Sequence, residues 1–280
     1  MERFCHSIGW CCVGTFSYCR DFIFKAKVEP HVGEEALLGR KTFLAMFVVV
    51  GFVVKMVAEF VHEICGHGLF VLLFGGTIKA VYISVLWPYE LSRIDWSLSS
   101  SISSAQMAWV YAGGILVCLC VSFLTQVFLL VKKKTPWYFA LTLFWLAFWT
   151  LINSTGYLMI GGLTSFGDVK ELIALGVLTS LLSLVIGFII FVIGFVGLSW
   201  ILRKILIELF TPKKASLGVS LFWLIIPVLV LVMLANPERG LQVAYLPLAF
   251  VPALLSFALE YFLVLSKQEA YASPDDVAEK

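Results

Sequence analysis

His62-Glu63-Ile64-Cys65-Gly66-His67 places two histidines and a glutamate within one short stretch of a long apolar segment. Imidazoles on one helical face bind a divalent metal such as zinc, and a glutamate directly after the first histidine of such a pair can act as general base. The usual spacing is four; here it is five. On an ideal helix, at roughly 100° per residue, four residues leave the side chains about 40° apart and five leave them about 140° apart. Two imidazoles so separated cannot share one ion. A π-bulge, whose backbone bond runs from i to i+5, restores the shared face, and such bulges concentrate at functional sites. Gly66 and Gly68 lower the cost of that distortion, so the spacing predicts a bulged helix through the motif.

Lys55, Glu59, His62 and Glu63 recur at helical spacing in otherwise apolar sequence and form one stripe. Ionisable groups at the bilayer centre cost about 2.5–3.5 kcal/mol each on insertion scales, so the stripe is expected to face inward. For Lys55 and Glu59, four residues apart, mutual pairing is the expectation; for His62, Glu63 and His67 it is metal binding.

The surrounding chain is that of an integral membrane protein. Of its 280 residues 61% are apolar and only 14% are charged, which excludes an ordinary soluble domain. Weakly charged stretches at 43–75, 106–131, 136–159, 173–200, 217–235 and 244–266 each suffice for the ~20 residues that cross a hydrocarbon core. The expected fold is all-α and polytopic, with about six transmembrane helices and a short strand-containing loop after the first. The first stretch is overlong, so it must tilt, bend or break near the histidines, or re-enter over 62–75. Residues 1–41 read as an N-terminal cytoplasmic or interfacial segment without a removable signal peptide, 42–170 as the core, 171–266 as accessory helices and 267–280 as a polar tail.

Charge placement sets the expected orientation. Arg3, Arg20, Lys25, Lys27, Arg40 and Lys41 precede the first span, Lys132, Lys133 and Lys134 fill the second connection, and Arg203, Lys204, Lys213 and Lys214 the fourth. The positive-inside rule then puts both termini in the cytoplasm. A net charge of +2 says little about partners, and no nucleic-acid motif is present. Seven cysteines, an odd number with Cys118 and Cys120 inside a span, argue for free thiols rather than a disulfide framework. Cys5, Cys11, Cys12 and Cys19 near His6 match no zinc module and suit reversible acylation or packing.

After the histidines comes Gly66-His67-Gly68-Leu69-Phe70-Val71-Leu72-Leu73-Phe74-Gly75-Gly76, then the alternating Ile78-Lys79-Ala80-Val81-Tyr82-Ile83-Ser84-Val85. This run resembles the site-2 protease family of intramembrane zinc metalloproteases, in which a glycine precedes the second histidine and a glycine ends the helix before a strand. Ala112-Gly113-Gly114 resembles that family's Ala-Gly-Pro motif with the proline replaced. Asn153 and Gly167-Asp168 stand near where the family has an asparagine and then an aspartate ligand. The resemblance covers residues 43–170. The five-residue spacing is also similar to that of the soluble dipeptidyl peptidase III family, which binds zinc through it.

The resemblance implies a zinc site of His62, His67 and a third ligand, with Glu63 activating water and Asn153 holding the substrate backbone or oxyanion; an interhelical hydrogen bond explains Asn153 equally well. Asp168 is the favoured third ligand, Glu59 the reserve and Asp95 a remote alternative, while capping of the helix from Val169 onward is an equal use for Asp168. Gly161 and Gly162 are expected to let the backbone bend into the bundle. Cys65 is assigned to packing. The expected activity is hydrolysis of peptide bonds in or near transmembrane segments, with the bilayer and a transmembrane protein as partners and an exposed strand available to an extended substrate. Two alternatives stand beside it: a non-proteolytic binding or assembly protein of the same fold, and a transporter using the inward polar stripe.

Overall fold

The computed structural model describes residues 34–85, 90, 92–98, 102–132, 134–164, 166–223 and 225–234, with a few positions between 251 and 262. The amino-terminal cysteines with His6, and the polar tail, lie outside the described residues. The chain divides into units 1–37 and 38–280, and the metal motif belongs to the second.

The elements run α1 (Glu34–Phe60), a π-helical segment (Val61–Gly68), α2 (Leu69–Leu73), β1 (Thr77–Tyr82), β2 (Arg93–Ser97), α3 (Ser104–Val131), α4 (Trp137–Thr164), α5 (Gly167–Ala174), α6 (Ser180–Ile207), α7 (Pro212–Phe222) and α8 (Ile225–Leu234). Four helices among the described residues are long and apolar enough to cross a membrane: Thr42–Leu73, Ser104–Val131, Trp137–Thr164 and Ser180–Ile207. The first neither breaks nor re-enters at the histidines. It absorbs the extra residue as π-helix and continues to Leu73.

The remaining expected spans fare differently. Residues 217–235 fall on α7 and α8, which part around Trp223. Pro227 lacks the N–H that would bond the Trp223 carbonyl in a continuous helix. The stretch 244–266 lies largely outside the described residues. The expected 173–200 span is displaced to Ser180–Ile207, because α5 ends first. Gly176, at φ +72°, terminates it, with Gly176 N–H donating to Ile173 and Val177 N–H to Leu172. Thr179 then caps α6 by accepting from Leu182 N–H at 3.2 Å. A Ser103–Gln106 capping box likewise starts α3.

Serine hydroxyls join the spans where apolar attraction cannot distinguish helix from lipid. Ser122 donates to Ala147 O at 2.8 Å and Ser154 to Ile115 O at 3.1 Å, tying α3 to α4; Ser183 donates to Leu158 O at 2.7 Å, tying α6 to α4. Trp149 Nε1 donates to Gly51 O at 2.7 Å, fastening α1 to α4. An aromatic core of Phe144, Trp145, Phe148, Phe195 and Phe222 fills the space between α4, α6 and α7. A smaller cluster of Ile115, Leu158, Val169 and Leu172 seats α5 against α3 and α4.

The expected strand is present, shorter, as β1. It pairs antiparallel with β2, Thr77 opposite Ser97 and Tyr82 opposite Arg93, with a bulge at Lys79. Ile78 and Ile94 face Gly68 of the π-helical segment, while Lys55 Nζ donates to the Ser84 carbonyl beyond β1. The hairpin therefore folds back along the first span. Seven residues of extended chain from Thr77 to Ser84 cover about 23 Å, close to the helical distance from Leu73 back to Lys55, at most about 27 Å.

Candidate metal centre

Within Val61–Gly68 the Leu69 N–H bonds to Ile64 O, five residues back, and the histidines come to lie one π-turn apart. Their Nε2 atoms are 3.2 Å from each other. Asp168, 106 residues beyond His62, places Oδ2 3.3 Å from His62 Nε2 and 3.2 Å from His67 Nε2. With zinc–nitrogen and zinc–oxygen bonds of ~2.0–2.1 Å and tetrahedral angles, adjacent ligands of one ion stand about 3.3 Å apart. The three edges of the donor triangle have that length.

The hydrogen bonding outside the triangle turns a lone pair of His67 into it. His67 Nδ1–H donates to Val110 O at 2.7 Å, so in the neutral ring Nε2 carries an unprotonated lone pair toward the triangle. His62 Nδ1 lies 3.9 Å from Cys118 Sγ on the side of the ring away from the other donors. Two imidazole lone pairs and a carboxylate converging in a buried place repel one another unless positive charge, a metal ion or ring protons, sits among them. Among the described residues His62, His67 and Asp168 are the group disposed to hold a metal.

Backbone without side chains permits this closeness. A Cβ on Gly66 would fall 2.4 Å from Gly114 Cα, and one on Gly113 would fall 2.8 Å from Gly66 O. A Cβ on Gly114 would lie 2.5 Å from His62 Cε1 and 2.7 Å from His67 Nε2. Ala112-Gly113-Gly114 thus lets α3 lie directly against the metal-facing edges of both imidazoles. Gly161 and Gly162 do not bend α4, which stays helical to Thr164. They admit neighbours instead: a Cβ on Gly161 would meet Val169 Cβ at 2.6 Å, and one on Gly162 would meet Ser180 O at 2.9 Å.

Asp168 stands in the first turn of α5, whose N-cap position is Phe166 with no side-chain cap bond. Its carboxylate is spent on the histidines rather than on capping. Burial by itself pushes the Asp168 carboxyl up, but positive charge and N–H donation from the facing His67 and His62 groups outweigh it and hold the carboxyl well below the usual carboxylate range when the rings carry protons.

The other expected site residues lie at differing removes from the triangle. Glu63 is 3% exposed and interacts electrostatically with His62, His67 and Asp168, yet no side chain among the described residues hydrogen-bonds it. Asn153 is buried in α4 and directs Nδ2 to Glu59 Oε1 at 3.4 Å, while its Oδ1 has no hydrogen-bond partner among the described residues. Glu59 and Asp95 are not members of the donor group; Asp95 is exposed in β2 opposite Ala80. Cys65 is also exposed, on the outer side of the π-helical segment.

Sequence reasoning missed four contributors. Tyr157 stacks on His62 with ring centroids 4.8 Å apart and planes 15° apart. Cys118 and the Val110 carbonyl face the outer nitrogens of the two histidines. Strand β2 was also missed, although Arg93-Ile94-Asp95-Trp96-Ser97 alternates with period two and carried its own signal. Nothing local marks Val110, whose backbone carbonyl has no sequence signature.

The extra residue has a direct test. Deleting Cys65 leaves His62 and His67 four apart, the spacing that α-helix itself brings to one face. The flanking helical phases are then preserved, and zinc per chain, measured by elemental analysis, is expected to equal that of the wild type. Loss of zinc in a folded deletion variant would show that the π geometry itself is required. No family model, curated protein or solved structure matches the chain.

Proposed function

We propose that the chain is an intramembrane zinc peptidase of the site-2 protease type, hydrolysing peptide bonds of transmembrane or membrane-proximal segments. The observation that carries this reading is the donor triangle of His62, His67 and Asp168, with edges of 3.2–3.3 Å, beside a buried glutamate that no side chain among the described residues hydrogen-bonds. A structural zinc site is closed by four protein ligands, whereas a catalytic one has three and keeps a position open. Three donors and an adjacent free carboxylate match the second pattern. Bound zinc supplies a Lewis acid and lowers the pKa of a coordinated water toward ~7. His62, His67 and Asp168 would hold the ion, and Glu63 would accept a proton from the attacking water and return it to the leaving amine.

The hairpin supports the substrate side of the reading. Among the described residues β1 and β2 pair only with each other, which leaves an outer edge on each strand, and Ile78 and Ile94 fasten the hairpin beside His67. A substrate segment must be extended to expose its peptide bonds, and an extended segment can add to a strand edge. The contact of Asn153 Nδ2 with Glu59 Oε1 at 3.4 Å supports the interhelical hydrogen bond as one use of this amide. The lysine and arginine distribution supports a cytoplasmic side for both termini.

The test is zinc content and cleavage together. Detergent-purified wild type is expected to hold close to one zinc per chain and His67→Ala close to none, with reconstituted transmembrane substrates cut only by the wild type. Absence of zinc from wild type prepared without chelators would overturn the reading. Equimolar zinc with no cleavage across a panel of membrane segments would favour a non-proteolytic metal-binding protein.

A further inference from the structure

We propose that Tyr157 is a positioning residue of the metal centre: its ring fixes the plane of His62 and backs the turn that presents Asp168. The inference rests on the zinc-site reading above and assigns the part that aligns its ligands.

The two histidines are held in unequal ways. His67 has a short, well-aligned bond from Nδ1 to the Val110 carbonyl, and this settles both its tautomer and its ring orientation. At its outer nitrogen His62 has, among the described residues, a thiol as hydrogen-bond partner, 3.9 Å from Nδ1, and sulfur is a weak acceptor. Rotation about χ2 of His62 would carry Nε2 out of the triangle, and a contact of that strength does little to prevent it. The ring of Tyr157 does prevent it. It lies nearly parallel to the imidazole, at 15° and 4.8 Å, so that turning His62 drives its edge into the aromatic face.

Tyr157 also meets the segment that presents the ligand from the distant part of the chain. Phe166 stacks on it with centroids 6.1 Å apart and planes 23° apart. The next residue, Gly167, has φ +58° and presses its backbone to the ring edge; a Cβ there would fall 2.7 Å from Tyr157 Cε1. Asp168 follows immediately. The contacts close a circuit, His62 to Tyr157, Tyr157 to Phe166 and Gly167, and Asp168 back to His62. One aromatic ring therefore sets the distance between two ligands separated by 106 residues.

The experiment uses the full chain in detergent, with zinc affinity measured by chelator competition and ligand geometry by the visible d–d spectrum of the cobalt-loaded protein. Tyr157→Phe keeps the ring and is expected to bind zinc within about twofold of wild type with an unchanged cobalt spectrum. Tyr157→Leu removes the flat face and is expected to weaken binding roughly 10–100-fold, the range for lost outer-shell support, and to alter the spectrum. Should Tyr157→Leu fail to fold, Phe166→Leu removes the layer behind the ring, with a smaller loss in the same direction expected. Wild-type affinity and spectrum in the folded leucine variant would overturn the inference, as would equal losses in the leucine and phenylalanine variants. If wild type itself takes up neither metal, both this inference and the zinc-peptidase reading fall; wild type that loads normally beside an unaffected leucine variant removes this inference alone.

Discussion

Glu63→Gln is expected to leave zinc near one per chain while slowing peptide hydrolysis about 10²- to 10⁴-fold, the usual contribution of a positioned general acid–base group. Glutamine has the shape of glutamate and is a good helix former, so the π-helical segment and its ligands are undisturbed. It cannot accept a proton from water at neutral pH. The size of the effect follows from how Glu63 is kept: buried, electrostatically coupled to all three donor residues, and engaged by no side chain among the described residues. A carboxylate maintained in that state has a desolvation cost and no structural bond to repay it. The measurement is single-turnover cleavage of a reconstituted substrate with zinc assayed on the same preparation. Cleavage at the wild-type rate would remove Glu63 from the mechanism, whereas parallel loss of zinc would make it part of the ligand framework.

Gly114→Ala is expected to abolish stoichiometric zinc binding. The added methyl would lie 2.5 Å from His62 Cε1, 2.6 Å from His62 Nε2 and 2.7 Å from His67 Nε2, well inside contact distance of the atoms that must face the metal. Relief by moving α3 away is blocked from within the same contact. Val110 O is bonded to His67, and Gly113 already lies against Gly66 backbone. The variant must displace an imidazole or separate two helices, and overpacking of this kind costs about 1–3 kcal/mol of stability. Gly156→Ala on α4 is the control, since a Cβ there meets nothing within 4 Å. It is expected to bind zinc as the wild type does and to melt no lower. Equimolar zinc in Gly114→Ala would show that the approach of α3 to the histidines is looser than the close packing requires.

The local parts of this centre were legible in the chain, and the π-helical segment is the clearest case. Two histidines five apart in a helix either face different sides or share a bulge, and the choice between these follows from residues within one turn of each other. The inward stripe was legible for a similar reason: Lys55, Glu59, His62, Glu63 and His67 are all at most 5% exposed, as the cost of charge in lipid demands. The electrostatic pairing of Lys55 with Glu59 was legible as well, whereas the stripe's partners from other elements were not. Glu59 meets the Asn153 amide and Lys55 meets the Ser84 carbonyl, and both partners come from elements distant in sequence.

Asp168, Glu59 and Asp95 were all chemically competent as third ligand, and composition does not rank them. What separates them is the depth at which α5 docks on α3 and α4, through Val169 and Leu172 against Ile115 and Leu158, and through the place that Gly161 leaves for Phe166 and Val169. The same docking brings Tyr157 between His62 and Gly167. The sequence by itself determined that this chain has long apolar spans and that one helix carries two histidines and a glutamate in a motif requiring a bulge, because spacing along a helix dictates facing. Only the tertiary structure decided which carboxylate completes the triangle and which ring aligns it, because those distances are set by packing between segments about a hundred residues apart.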